Sequence, residues 1–426
     1  MSSANKVCST TKRIIMKYVL IVITCLLSTN VSAKVKSSDI TFPGKFYTKE
    51  IKSCSALPNN VKFDNAKTFK IIEDVIGYDW AKFHTETGNS IVVNHNVITV
   101  PGKLMLTALQ HAIANNSQTN LDIGKDLLLR IAKADTLYNS IGYYELQNKP
   151  RCWVNNDPNS PCWYHEFEFA GQTFGNFMIA AIYLRSEFNK EELKEMNRYI
   201  KKMYKKFLKP IQFRKNDKGF YAMANGGLST LIYASWTNNK NLAAKEINHT
   251  FNEINRLFYK DGYIDDNSFR GLRGQWYHSY GVNIALGYVY IAKLWGAEVP
   301  EKVHNKLVNS AKIVNLAITN PDKFAERKNP NGLARNRVTT KSTPHTHQMA
   351  IAIDTLMEIV VGLELEHDPV YLSKRKYHVP DGTDDLIGFN PNCINSVEPI
   401  IEVIDYSLNQ VTGNDWRKHY KHVSSN

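Results

Sequence analysis

The chain has 426 residues, 43% of them hydrophobic, with 53 Lys and Arg against 40 Asp and Glu and a formal charge of +13. That length admits one large repetitive domain or two ordinary ones, and no Gly/Ser- or Pro-rich linker marks a boundary between two. The basic excess favours anionic partners, while the lack of any CxxC pair or HExxH run excludes a dedicated zinc site of the usual kinds.

At the N-terminus, Lys12, Arg13 and Lys17 form a basic flank before the apolar run Tyr18 to Leu27, and Val31-Ser32-Ala33 supplies small residues for cleavage. The run is too short to span a bilayer as a helix, so residues 1–33 read as a removed secretory signal. A retained N-terminal anchor is the alternative. Removing that segment takes away four basic and no acidic side chains, which leaves +9 on residues 34–426. A periplasmic or secreted basic protein meets acidic glycans more often than nucleic acid. An acidic polysaccharide is therefore the expected partner, with no nucleic acid and no stable membrane insertion. Cys54, Cys152, Cys162 and Cys393 remain, an even number that allows three disulfide pairings in an oxidising compartment.

Downstream, helical patterns recur over roughly residues 70–365. Apolar residues at three- and four-residue steps predict helices over Lys103–Ala114, Asp122–Ala134, Gln172–Ser186, Glu191–Leu208, Leu228–Trp236, Ala243–Phe258, His278–Trp295, Glu301–Ala317 and Gln348–Leu363. Gly296 stands where the helix ending at Trp295 should stop. Gly175–Leu184 and Val282–Leu294 are apolar around most of their circumference, so another layer of helices must surround them. The expected fold is all-α, either an incomplete α/α toroid of paired inner and outer helices or a compact bundle. Ser90–Val100 alternates weakly as a strand, and the chain after Pro380 reads as an irregular extension.

The segment Asp261–Trp295 concentrates Arg270, Arg273, Trp276, Tyr277, His278 and Tyr280 at the start of a long apolar helix. A helix N-terminus favours anions through its unpaired N–H groups and its dipole. Arginine adds a planar fork matched to a carboxylate, and Trp276 offers a face for a pyranose ring. Arg270-Gly271-x-Arg273-x-x-x-Tyr277-His278 followed by an apolar helix resembles the RG-x-R-x(3)-YH motif of the alginate lyase domain family. The resemblance implies an α/α-toroid polysaccharide lyase in which Tyr277 is the acid/base and Arg270 supports it. Beyond the motif, it extends over residues 70–365 as a pattern of paired helices only.

The chemistry agrees with that assignment. Eliminating across a 4-linked uronate requires neutralising the C6 carboxylate, removing the weakly acidic C5 proton and protonating the departing O4. A tyrosine beside an arginine can take the proton as phenolate and return it as phenol, provided both events occur on one face of the ring. β-D-Mannuronate and β-D-glucuronate meet that condition, so no metal or other cofactor is required. The family also carries an Asn-His pair upstream. Here Asn225 can stand for the asparagine, but Gly226 follows it and no histidine is near.

His165, His345 and His347 are possible replacements, and Trp163, with Trp153, Gln172 and Asn176, could form sugar subsites. His278 matches the motif as a group that orients the tyrosine or binds the sugar. Two other functions fit the same residues. A glycoside hydrolase acting on uronides would need two facing carboxylates, for which Asp265, Asp266, Glu166 and Glu168 are available. A non-catalytic acidic-glycan-binding protein would need neither. The clusters Lys201-Lys202, Lys205-Lys206 and Lys374-Arg375-Lys376 read as solvated faces.

Overall fold

The computed structural model describes residues 34–42, 69–70, parts of 102–113, 116–136, 138, 163–209, 212–213, 219–220, 227–271, 274–330 and 354–366. The expected signal, the four cysteines, Ser90–Val100, Trp153, His345, His347, Lys374-Arg375-Lys376 and the chain after Pro380 lie outside them. From Val35 onward the described residues belong to one compact unit. They are helical, with no strand among them. Nine helices carry labels here: α1 Gln118–Ala134, α2 Trp163–Tyr183, α3 Lys190–Met203, α4 Gly227–Trp236, α5 Lys240–Leu257, α6 Gly274–Leu294, α7 Glu301–Thr319, α8 Pro321–Glu326 and α9 Asp354–Val361.

Local chemistry sets several helix ends. Asn189 caps α3 by accepting from the Glu191 and Glu192 amides at 3.0 Å, while the Glu192 carboxylate accepts from the Asn189 amide at 2.8 Å. Asn239 caps α5 through the Leu242 amide, and Asn320 caps α8 through the Lys323 amide. Asp135 ends α1 in the left-handed region at φ 50°. Its carboxylate then holds Arg198 at 2.9 Å and Lys202 at 2.5 Å, which fastens α1 to α3. The buried Lys306 on α7 satisfies the free carbonyls at the end of α5, donating to Asn255 and Phe258. Gly296, at φ 87°, closes α6 as expected.

Helices buried almost all round alternate along the chain with amphipathic ones. α4 exposes none of its residues and α6 exposes only Lys293 and Leu294, whereas α3, α5 and α7 each keep a charged outer face. α4 packs on α2 and α5, α3 on α1, and α6 on α7 and α9. The core therefore runs through the apolar helices, as an outer layer of amphipathic helices requires. Residues 35–42 dock on this body. The Asn248 side chain bonds both the N–H and the C=O of Val35, and Phe42 meets Trp295 edge-on at 4.8 Å.

Several boundaries differ from expectation, among them the start of α1, at Gln118 rather than Asp122. α2 begins at Trp163 rather than Gln172, and α6 begins at Gly274 rather than His278. The expected single helix Glu191–Leu208 changes at Tyr204 into a π turn that buries Lys206, Phe207 and Leu208. Lys206 is thus a correction to the solvated-face reading. It is 5% exposed, and its ammonium lies 4.2 Å from the Tyr138 ring centre and donates to the Tyr138 carbonyl.

Candidate active site

The site starts in a tight hairpin between α5 and α6. Phe258 and Ile264 form an antiparallel bridge, and the turn between them passes through Gly262 at φ 92°. A side chain at Gly262 would meet the Asn309 carbonyl oxygen at 2.3 Å, so the turn presses directly on α7. After the bridge comes a short 3-10 turn, Asn267–Phe269, entered through Asp266 at φ 57°.

Three consecutive side chains of this turn reach the start of α6. The buried Asp266 carboxylate accepts from Arg270 Nε and Nη2 at 2.9 and 2.8 Å. That pairing lays the Arg270 guanidinium 4.4 Å above the centre of the Tyr277 ring. Asn267, fully buried, donates to the Tyr277 carbonyl at 2.8 Å and accepts from the Phe220 amide at 2.6 Å. Ser268 accepts from the Ile264 amide at 2.7 Å and donates to His278 Nδ1 at 2.9 Å. His278 Nε2 in turn donates to the Ser310 carbonyl on α7 at 3.0 Å.

His278 is the clearest correction to the expected site. It is 0% exposed and both ring nitrogens are bonded inside the protein, so it is a clamp between the turn and α7 and cannot contact a sugar. Burial pushes its pKa down to about 4, against a smaller opposing effect of the Ser310 bond. A histidine kept neutral in the fold while the unfolded chain titrates near 6.5 stabilises fully above that value and loses the contribution as pH falls towards 4. Urea titrations of the parent and His278→Gln should show a stability difference that changes by roughly 3 kcal/mol across that window, with the parent losing relative to the variant as pH falls. A constant difference between the two would assign the slope to other groups.

The outer face of the same helix start is aromatic. Trp276, Tyr277 and Tyr280 are half-buried. Trp276 stacks on Tyr280 with ring centres 5.2 Å apart and planes 8° apart, and meets Tyr277 edge-on at 4.8 Å. Tyr277 and Trp276 therefore come together with Arg270 at a partly exposed surface. Arg273 and Asn225 lie outside the described residues. Trp163 and His165 stand in the first turn of α2, and their side chains, with those of Gln172, Glu166 and Glu168, also lie outside them. Asn176, considered as a subsite residue, is buried within α2 at 1% exposure.

Asp266 was available as a hydrolase carboxylate, but it is 5% exposed and committed to Arg270. Sequence reasoning missed its real role, although the four-residue spacing to Arg270 was a usable signal. Asn267 left no signal, because its partners are distant backbone groups. No three His, Cys, Asp or Glu among the described residues are grouped to hold a metal, and no helix among them is long and apolar enough to cross a membrane. An open polar depression of about 640 Å³, lined by Ser37, Tyr233, Asn239, Lys240 and neighbours, includes none of the candidate residues. Its lining is of hydroxyl and amide groups with the Lys240 ammonium. No family model, curated protein or solved structure matches the chain.

Proposed function

We infer that the protein is an exported polysaccharide lyase. It cleaves a 4-linked uronic-acid polymer, of mannuronate or glucuronate, by metal-independent syn β-elimination, with Tyr277 as acid and base. The observation that carries this reading is the partly buried Tyr277, its ring held under the Arg270 guanidinium beside the Trp276–Tyr280 stack. The stacked aromatics offer a face to a pyranose ring, and the phenol can move a proton on one side of that ring. Arg270 is anchored by Asp266 and fixes the ring of Tyr277, so its charge is preorganised rather than recruited by substrate. Asn225 is assigned to the C6 carboxylate. The alternation of buried and amphipathic helices is the pattern an incomplete α/α toroid needs, and that toroid is the proposed architecture.

The test is incubation with polymannuronate, alginate and glucuronan while following ultraviolet absorbance from the new C4–C5 double bond. A rise supports the lyase. New reducing ends without absorbance mean hydrolysis, and neither signal leaves a binding protein; both results reject the proposal. Arg270→Ala should lower turnover on the order of a hundredfold, as expected for one preorganised electrostatic group. Turnover within a few-fold of the parent would remove Arg270 from the mechanism.

A further inference from the structure

The buried polar groups around the site are not all passive packing, and Asn267 stands out. Its amide is 0% exposed, yet all of its bonds go to main-chain atoms of two separate segments. On one side it exchanges bonds with Phe220, accepting from the N–H at 2.6 Å and donating to the C=O at 3.4 Å. In the sequence, Phe220 stands five residues before Asn225. On the other side it donates to the carbonyl of Tyr277 itself, within the first turn of α6.

The helix makes room for this amide. A Cβ at Gly281, one turn after Tyr277, would lie 2.7 Å from Asn267 Nδ2 and 3.0 Å from Ile264 Cδ1. Glycine inside a helix is unfavourable relative to alanine, so its presence here needs a reason, and the close approach of the Asn267 amide supplies one.

We propose that Asn267 is a positioning residue that couples the chain at Phe220 to the helix turn carrying Tyr277 and so fixes where that turn sits. The inference rests on the proposed role of Tyr277 for its catalytic consequence, while the coupling itself is independent of any reaction. Asn267 touches no reacting atom; it acts through the two backbones it joins.

The test uses Asn267→Asp, which keeps the acceptor for the Phe220 amide and loses the donor to Tyr277, and Gly281→Ala, which crowds the amide from the helix side. Amide exchange resolved at single residues reads the coupling directly. Asn267→Asp should lower protection by at least about tenfold in the first turn of α6, with residues 286–291 unchanged. On a uronate polymer, both variants should lose kcat by roughly tenfold to a hundredfold with KM nearly constant, the signature of a misplaced group. Normal protection at the start of α6 in Asn267→Asp overturns the coupling. Altered protection with unchanged kcat overturns the positioning role. If the parent protein shows no elimination at all, the lyase reading fails while the exchange result still decides the coupling.

Discussion

On the proposed lyase reading, replacing Tyr277 by Phe should abolish elimination, with turnover falling by about three orders of magnitude or more, within the range that a positioned acid/base supplies. The geometry makes this substitution unusually clean. Arg270 lies over the ring face and donates two bonds to Asp266, so neither contact needs the hydroxyl. The edge-on contact with Trp276 is also a property of the ring. Phenylalanine keeps the guanidinium, the aromatic neighbour and the helix turn, and removes the hydroxyl assigned to proton transfer. Oligosaccharide binding and thermal unfolding should therefore stay close to the parent. Near-normal turnover in Tyr277→Phe would show that another group carries the proton.

The largest stability effect is expected far from the site, at Glu246 on α5. Its carboxyl is 1% exposed and has one protein partner in the Tyr288 hydroxyl of α6, at 3.3 Å. Its second oxygen is buried with no protein partner. Burial pushes the pKa up to about 8; the Tyr288 bond and the charge of Lys245 oppose this and are smaller. Here the folded state holds the proton and the unfolded chain releases it near 4.5. The contribution is complete below that value and is lost as pH rises towards 8. The full loss is about 5 kcal/mol as an upper bound. Glu246→Gln cannot ionise, so its urea midpoint should rise relative to that of the parent over this range and exceed it at the alkaline end. Parallel curves for the two proteins would show that Glu246 does not set the alkaline limit. This slope is opposite in sign to that of His278, so stability should peak between the two.

The helical core was legible in the sequence because its outer helices carry a clear three- and four-residue period. Glu191, Ala243 and Glu301 were placed within a few residues of the observed helix starts. The start of α6 was missed for a local reason. Gly274 and Gln275 read as loop, yet the Ser268–His278 and Gln275–Ala317 bonds hold them in helix. The π turn at Tyr204 was hidden because apolar spacing hardly distinguishes it from an α turn.

The site was legible as a group of residue types, and less so as a geometry. Arg270, Trp276 and Tyr277 do come together. His278 was misread for a physical reason: α6 is apolar around nearly all its circumference, so periodicity cannot tell which of two adjacent polar residues points inward. Asp266 and Asn267 act through a left-handed turn, where helical spacing rules do not apply.

The account depends on proton removal and leaving-group protonation from a single side of the sugar. The most direct test compares initial rates of double-bond formation on polymannuronate and on polyguluronate, its C5 epimer, in which the hydrogen and O4 lie on opposite faces. Faster reaction on polymannuronate by at least about a hundredfold, the lower end of what one positioned acid/base group supplies, is the predicted result. Equal or faster reaction on polyguluronate would contradict it.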